Sequence, residues 1–183
     1  MTLLEISRDR RSALADRWVE LVLATYPRPT TAFLLKERDG FRNPVGVTIR
    51  DAIGALTGGL LAGDDPGSLA ASVDAVVRVR AVQDFSPAQA AGFVFLFRRA
   101  LSVELHEELA KTPADELLEI DERIDALALL AWERYTMCRE KISAIRTREA
   151  TARTYALLKR AGLLEDAKAA EGAAACPPAE GSA

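Results

Sequence analysis

Apolar residues along this chain recur in steps of three and four, and no segment shows the strict alternation of a half-buried strand, so the sequence reads as a series of amphipathic helices. Thr2 and Glu5 have the spacing of a capping box. Leu14, Trp18, Leu21 and Val22 then follow at helical intervals up to Tyr26, where Pro27 and Pro29 forbid continuation, which predicts a first helix of about 24 residues. Thr31 to Lys36 reads as one short turn. Asn43-Pro44 pairs an N-cap side chain with proline at the first helical position, and Val45, Ile49, Ile53, Leu56 and Leu60 form the stripe of a second long helix ending near Gly63. Gly58-Gly59 inside it implies either a close approach by another backbone or early fraying. After the turn Asp64-Asp65-Pro66-Gly67, residues Leu69, Val73, Val76, Val77 and Val82 again run at helical spacing.

Ser86-Pro87-Ala88-Gln89 combines an N-cap serine, a proline and a glutamine at the third position, so a helix is expected from Pro87 to about Lys111. Phe93, Leu96, Phe97, Leu101 and Leu105 line it, and Val94 and Phe95 widen the apolar face enough to make it a central helix. Thr112-Pro113-Ala114-Asp115 starts another. From there no proline or glycine occurs until Gly162, a run of about 48 residues that spans about 70 Å as a helix, longer than a domain of this size is wide. Ile124, Leu127, Ala131, Tyr135, Cys138, Ile142 and Ile145 form its seam, and Ala152 and Ala156 continue the stripe at smaller size. The first half should pack in the core and the second half should project. Beyond Leu164 the composition shifts to Ala, Glu, Gly and Pro, which cannot bury enough apolar surface to stay ordered. The expected organisation is an all-α helical bundle: residues 1–160 form a helical domain with a projecting exit helix, and residues 161–183 a disordered tail.

Composition agrees with helices. Of 183 residues 49% are hydrophobic but only 6% aromatic, and the length suits a single core. A net charge of −3 leaves the whole molecule without an electrostatic footprint for nucleic acid or an anionic membrane. Glu5, Arg8, Asp9, Arg10 and Arg11 exclude a signal peptide at the start, and no later stretch reads as apolar for about 18 residues, so a cytoplasmic protein without membrane insertion is expected. Cys138 and Cys176 read as free thiols.

Candidate chemistry is sparse. His106, the single histidine, lies among charges in Glu104-Leu105-His106-Glu107-Glu108, where a surface role is favoured over haem ligation or general-base work; Cys176-Pro177 is a weak haem-binding dipeptide. Glu116, Glu119, Asp121, Glu122 and Asp125 share helix faces with Arg123 and lack the Glu-x-x-His spacing of carboxylate metal bundles, so an ion-paired surface is expected and no metal. Phosphate-loop, dinucleotide and nucleophile-elbow motifs are missing from the sequence, so no enzyme and no cofactor is expected. Arg80, Gln83 and Asp84 sit at a helix corner, where they either form a ligand mouth or fix the corner through an Arg80–Asp84 i,i+4 pair. Phe93, Phe97 and Trp132 mark the place for an apolar small-molecule or haem pocket. The basic run from Arg139 to Arg160 reads as a solvated helix face.

Phe41-Arg42-Asn43-Pro44-Val45-Gly46, Arg80-Ala81-Val82-Gln83-Asp84-Phe85-Ser86-Pro87, Ile120-Asp121-Glu122-Arg123-Ile124-Asp125 and the exit helix from Arg139-Glu140-Lys141-Ile142 through Arg146-Thr147-Arg148-Glu149 together resemble the RsbRD-type N-terminal domain. This is the sensory domain at the front of RsbT co-antagonist proteins in bacterial stress signalling. The resemblance covers about residues 4–160 and implies a globin-like, dimeric sensor without catalytic residues, whose last helix carries a signal onward. In full-length co-antagonists that helix enters a phosphorylatable STAS domain; here the residues after Arg160 hold no strand-forming sequence from which to build one. Independently of the family, an apolar seam reaching past the domain needs another surface, either its own copy in a parallel coiled coil or the helix of a protein partner. Tyr135, Cys138, Ile142, Ile145 and Glu149 are the candidate interaction residues.

Overall fold

In a computed structural model the chain is described over residues 2–161. The tail and its Cys176-Pro177 dipeptide lie outside the described residues. Helices α1 (Leu3–Asp9), α2 (Arg11–Leu23), α3 (Arg28–Lys36), α4 (Pro44–Ala62), α5 (Ala70–Val82), α6 (Pro87–Ala91), α7 (Leu96–Glu104), α8 (His106–Leu109) and α9 (Ala114–Arg160) follow one another, with a 3₁₀ turn at Pro66–Leu69 leading into α5. No strand occurs among the described residues, and the fold is an all-α bundle. Among the described residues the chain divides into two units within α9, the first ending at Arg139 and the second beginning at Glu140.

In the first unit α2 packs against α4 and α7, and α4 against α5. Trp18 of α2 is the centre of the core: its indole N–H donates to the Phe93 carbonyl at 2.8 Å, and its ring meets Phe93 and Phe97 at centroid distances of 6.2 and 4.9 Å. Burying three aromatic side chains together gives both dispersion contacts and a fixed geometry, because the indole N–H also needs an acceptor. Helix α4 is long and apolar enough to cross a membrane by length and composition, contrary to the expectation that no such stretch exists. Here Ile49, Ile53 and Leu56 have no solvent exposure and α4 serves as a core helix.

Two long helices expected from periodicity are broken. The stripe Leu3, Ser7, Leu14 and Trp18 would turn position 10 or 11 towards the core, and both are arginines. The helix interrupts at Arg10, whose guanidinium donates to the Glu104 carbonyl while that of Arg11 donates to Gly54 of α4. The expected helix from Pro87 to Lys111 becomes three pieces. Between Ala91 and Arg98 the backbone tightens to i→i+3 bonds, such as Leu96 N–H to Phe93 and Phe97 N–H to Val94, which lets neighbouring Phe93 and Val94 both be buried. A second break at Leu105 seats that side chain in the core. Residues 31–36, expected as one turn, belong to the nine-residue α3.

Gly58 and Gly59 do not fray α4, which continues to Ala62. They admit side chains rather than another backbone: a Cβ at Gly58 would lie 2.5 Å from the Arg11 guanidinium, and one at Gly59 2.4 Å from Leu69. The Asn43 amide is buried and joins α3 to α4. Its Nδ2 donates to the Leu34 and Glu37 carbonyls at 3.1 and 2.8 Å, and its Oδ1 accepts from Gly46 N–H at 2.8 Å. Asn43→Ala leaves these groups without partners and is expected to destabilise the protein by about 2–3 kcal/mol, read as a lower urea midpoint with unchanged slope.

Candidate functional site

The segment from Arg80 to Pro87 turns α5 into α6, and the local sequence explains how. Asp84 N–H donates to the Ala81 carbonyl and Phe85 N–H to that of Arg80, with Asp84 at φ 58°. This is a Schellman termination, with aspartate at the left-handed position where glycine is usual. Ser86 and Gln89 then cap α6 reciprocally.

Arg80 has no solvent exposure. Its Nη1 donates to the Gln89 carbonyl at 2.6 Å, and its Nη2 donates to the Val22 carbonyl at 3.1 Å and Thr25 Oγ1 at 2.9 Å. The guanidinium carbon lies 5.6, 5.1 and 5.7 Å from the ring centroids of Tyr26, Phe85 and Phe93. Carbonyl oxygens and ring faces thus replace water around this cation. Burial lowers its pKa, but arginine starts so high that it stays charged across physiological pH. Burial raises the Tyr26 phenol, with partial relief from the charge of Arg80.

The expected Arg80–Asp84 pair is replaced by a longer-range arrangement. Arg80 reaches α2 and α6, while the Asp84 carboxylate accepts from Arg139 of α9 at 3.0 Å. One turn earlier on α9 the Tyr135 hydroxyl donates to the Phe85 carbonyl at 2.8 Å. Two α9 side chains, four residues apart, therefore grip the strained corner. Sequence reading missed Arg139 as a corner residue; the i,i+4 spacing of Tyr135 and Arg139 was its only signal. Gln83 is exposed and lines a concavity of about 210 Å³ with Phe33, Arg42, Asn43, Pro44 and Val45, so two of the quoted segments share one rim.

The remaining candidates separate. Phe93 and Phe97 are buried against Trp18, whereas Trp132 is 51% exposed, so the three do not surround one pocket. Tyr135 is 5% exposed and belongs to the core; Cys138 is half-buried. His106 is exposed at the start of α8. Asp121 and Asp125 both accept from Arg98, at 2.7 and 2.6 Å, Glu119 accepts from Arg123, and Glu116 accepts from Leu3 N–H. No cluster of metal-binding side chains occurs among the described residues. A separate cleft of about 320 Å³ lies among Leu60, Leu69, Ala126 and Leu127, with Asp64, Asp65, Glu119, Glu122 and Arg123 also lining it.

Arg80→Met keeps the apolar stem but strands the buried acceptors, an expected loss of about 3 kcal/mol in chemical denaturation. Asp84→Ala should cost about 1 kcal/mol more than Asp84→Asn, because asparagine tolerates the left-handed backbone and alanine does not. A phenol pKa raised by folding means that the unfolded chain releases its proton first. The corresponding stability is full below about pH 10 and declines as pH rises beyond it. Tyr26→Phe should remove that part of the alkaline decline, seen by comparing melting temperatures at pH 8 and 11.

Among curated proteins and solved structures, none matches this chain. The family description "RsbT co-antagonist protein rsbRD N-terminal domain" matches residues 12–150. That span holds the Asn43 joint, the Arg80 corner and the α9 side chains that grip it, and the chain belongs to the RsbT co-antagonist rsbRD N-terminal domain family.

Proposed function

We propose that the chain is a non-enzymatic sensory or protein-interaction module of bacterial stress-type signalling, which works as a dimer and relays a signal or recruits a partner through its C-terminal helix. Membership of a regulatory, sensory family supports the general role. The observation that carries the mechanism is the grip of Tyr135 and Arg139 on the corner around Asp84, made by the helix that runs on to Arg160. A signal that binds one arrangement of the corner better than another shifts the population of α9 positions, and only that difference in affinity is available to drive the shift. Membership of a regulatory family, with the single histidine His106 exposed between acidic residues, supports a non-catalytic reading.

In the first unit Leu118, Leu129 and Trp132 of α9 are 59%, 74% and 51% exposed, on the outward side of a helix that buries Ile120, Ile124 and Leu127. We propose these exposed apolar side chains, with Glu122 and Asp125 between them on the same face, as the homodimer contact. A second reading, small-molecule binding, is favoured by the cleft of about 320 Å³ floored by Leu60, Leu69 and Leu127, a size within the range of ligand sites.

Sedimentation of the full chain at micromolar concentration should give a dimer, and Trp132→Asp should weaken it at least tenfold while leaving the melting temperature within a few degrees. A monomeric wild type would remove the dimer from the proposal. Ala126→Phe, which fills the cleft from its half-buried α9 side, should leave the dimer unchanged; a thermal shift by a small apolar ligand that this substitution abolishes would favour the second reading.

A further inference from the structure

From Glu140 onwards no described residue is buried, and Ile145, Tyr155 and Leu157 are 58%, 60% and 59% exposed. The seam of this segment follows a heptad in which Ile142, Glu149 and Ala156 occupy a positions and Ile145, Ala152 and Lys159 d positions. The residues flanking the seam, which set partner choice in a coiled coil, are Lys141, Arg148 and Tyr155 at g and Arg146, Arg153 and Arg160 at e. Five of these six are basic. The segment Glu140–Arg160 carries six Lys or Arg against two Glu, in a chain whose net charge is −3.

This charge pattern opposes pairing with a second copy. In a parallel pair each g residue faces the following e residue of the other helix, which sets Lys141 against Arg146 and Arg148 against Arg153. In an antiparallel pair e faces e, which sets arginine against arginine throughout, and g faces g, where Tyr155 alone is uncharged. In a parallel, in-register pair the seam also brings Glu149 against Glu149 and Lys159 against Lys159, in the least hydrated part of the contact. A seam is poorly satisfied by its own copy when two of the three parallel flank pairs and two of its own positions repel, the third pair being Tyr155 against Arg160.

We propose that the exit helix is a docking surface for an acidic amphipathic helix of a different protein, one with apolar a and d positions, Glu or Asp at e and g, and a basic residue facing Glu149. This names the partner for the recruitment step proposed above and rests on that reading. The apolar seam selects a helix over a merely anionic polymer, and the single buried-position glutamate fixes register, as polar a residues do in coiled coils. Opposite charges on the two flanks give fast, salt-sensitive association and discriminate against basic helices.

The test is fluorescence anisotropy with the full chain and labelled 28-residue synthetic helices. The acidic probe carries Ile at a, Leu at d, Glu at e and g, and one Lys placed to face Glu149; the control carries Lys at e and g. The acidic probe should bind, and its affinity should fall at least tenfold between 50 and 300 mM NaCl, at least tenfold in Arg148→Glu/Arg153→Glu, and at least tenfold in Ile145→Asp. No binding of the acidic probe overturns the proposal, as does equal binding of the control. Binding to oligoglutamate, single-stranded DNA or phosphatidylserine vesicles as tight as to the probe, and unaffected by Ile145→Asp, would also overturn it by making charge alone the ligand. Sedimentation separates this inference from the dimer. If Trp132→Asp leaves association unchanged while probe binding behaves as expected, the assigned dimer contact fails and the acidic partner stands. If Ile145→Asp instead dissolves a wild-type dimer, the seam is homotypic and this inference fails.

Discussion

A guanidinium sealed away from water has to be solvated by the protein, and the first unit is arranged around that requirement at Arg80. Its donors need carbonyl and hydroxyl oxygens at fixed positions, which ties the end of α2 at Val22 and Thr25 to the start of α6 at Gln89. Its flat faces need electron-rich rings, which recruits Tyr26, Phe85 and Phe93. Phe93 in turn gives its carbonyl to the Trp18 indole. One buried charge thus connects the corner between α5 and α6 with the aromatic centre of the core. Within that network Arg80 Nε and the Tyr26 hydroxyl are buried without a hydrogen-bond partner, so the corner carries an unmet polar demand.

The corner is also where the fold holds backbone strain and where α9 takes hold. An aspartate in the left-handed region is held there by the Schellman bonds around it and contributes its carboxylate to Arg139. Tyr135 is bonded to the carbonyl of the very next residue. In the proposed sensory role the corner is the element whose position is biased and α9 the part that reports it. By contrast, the segments around Asn43 and from Ile120 to Asp125 are spent on structure: the first joins two helices through one amide, with a glycine at position 46 because a Cβ there would lie 2.2 Å from that amide, and the second buries Ile120 and Ile124 while its aspartates bind Arg98.

The two stretches of α9 on either side of Arg139 differ in what surrounds them. Up to Arg139, α9 is read by the bundle, which buries Ile124, Leu127, Ala131 and Tyr135. After Glu140 its seam is exposed and its flanks are basic. On the proposal made above, the question of whether the protein is a dimer is separate from the question of what its last helix binds, since flanks of like charge disfavour pairing of that helix with its own copy.

Much of the architecture follows from the sequence alone, because helix starts, stops and stripes are local. The capping box at Thr2, the Asn43-Pro44 and Ser86-Pro87 starts, and the unbroken run from Ala114 to Arg160 all depend on residues within one turn of each other. The charge code of the exit helix is equally local. Tertiary structure decided where that periodicity yields: the interruption at Arg10, which sends two arginines to distant carbonyls, and the tightened turns around Phe93, where neighbouring side chains both had to reach the core. It also decided the partners of Arg80, for which i,i+4 spacing pointed to Asp84. A buried cation takes whichever oxygens and rings the packed helices bring to it, and those lie 55 and 58 positions away at Thr25 and Val22, beyond anything a local pattern encodes.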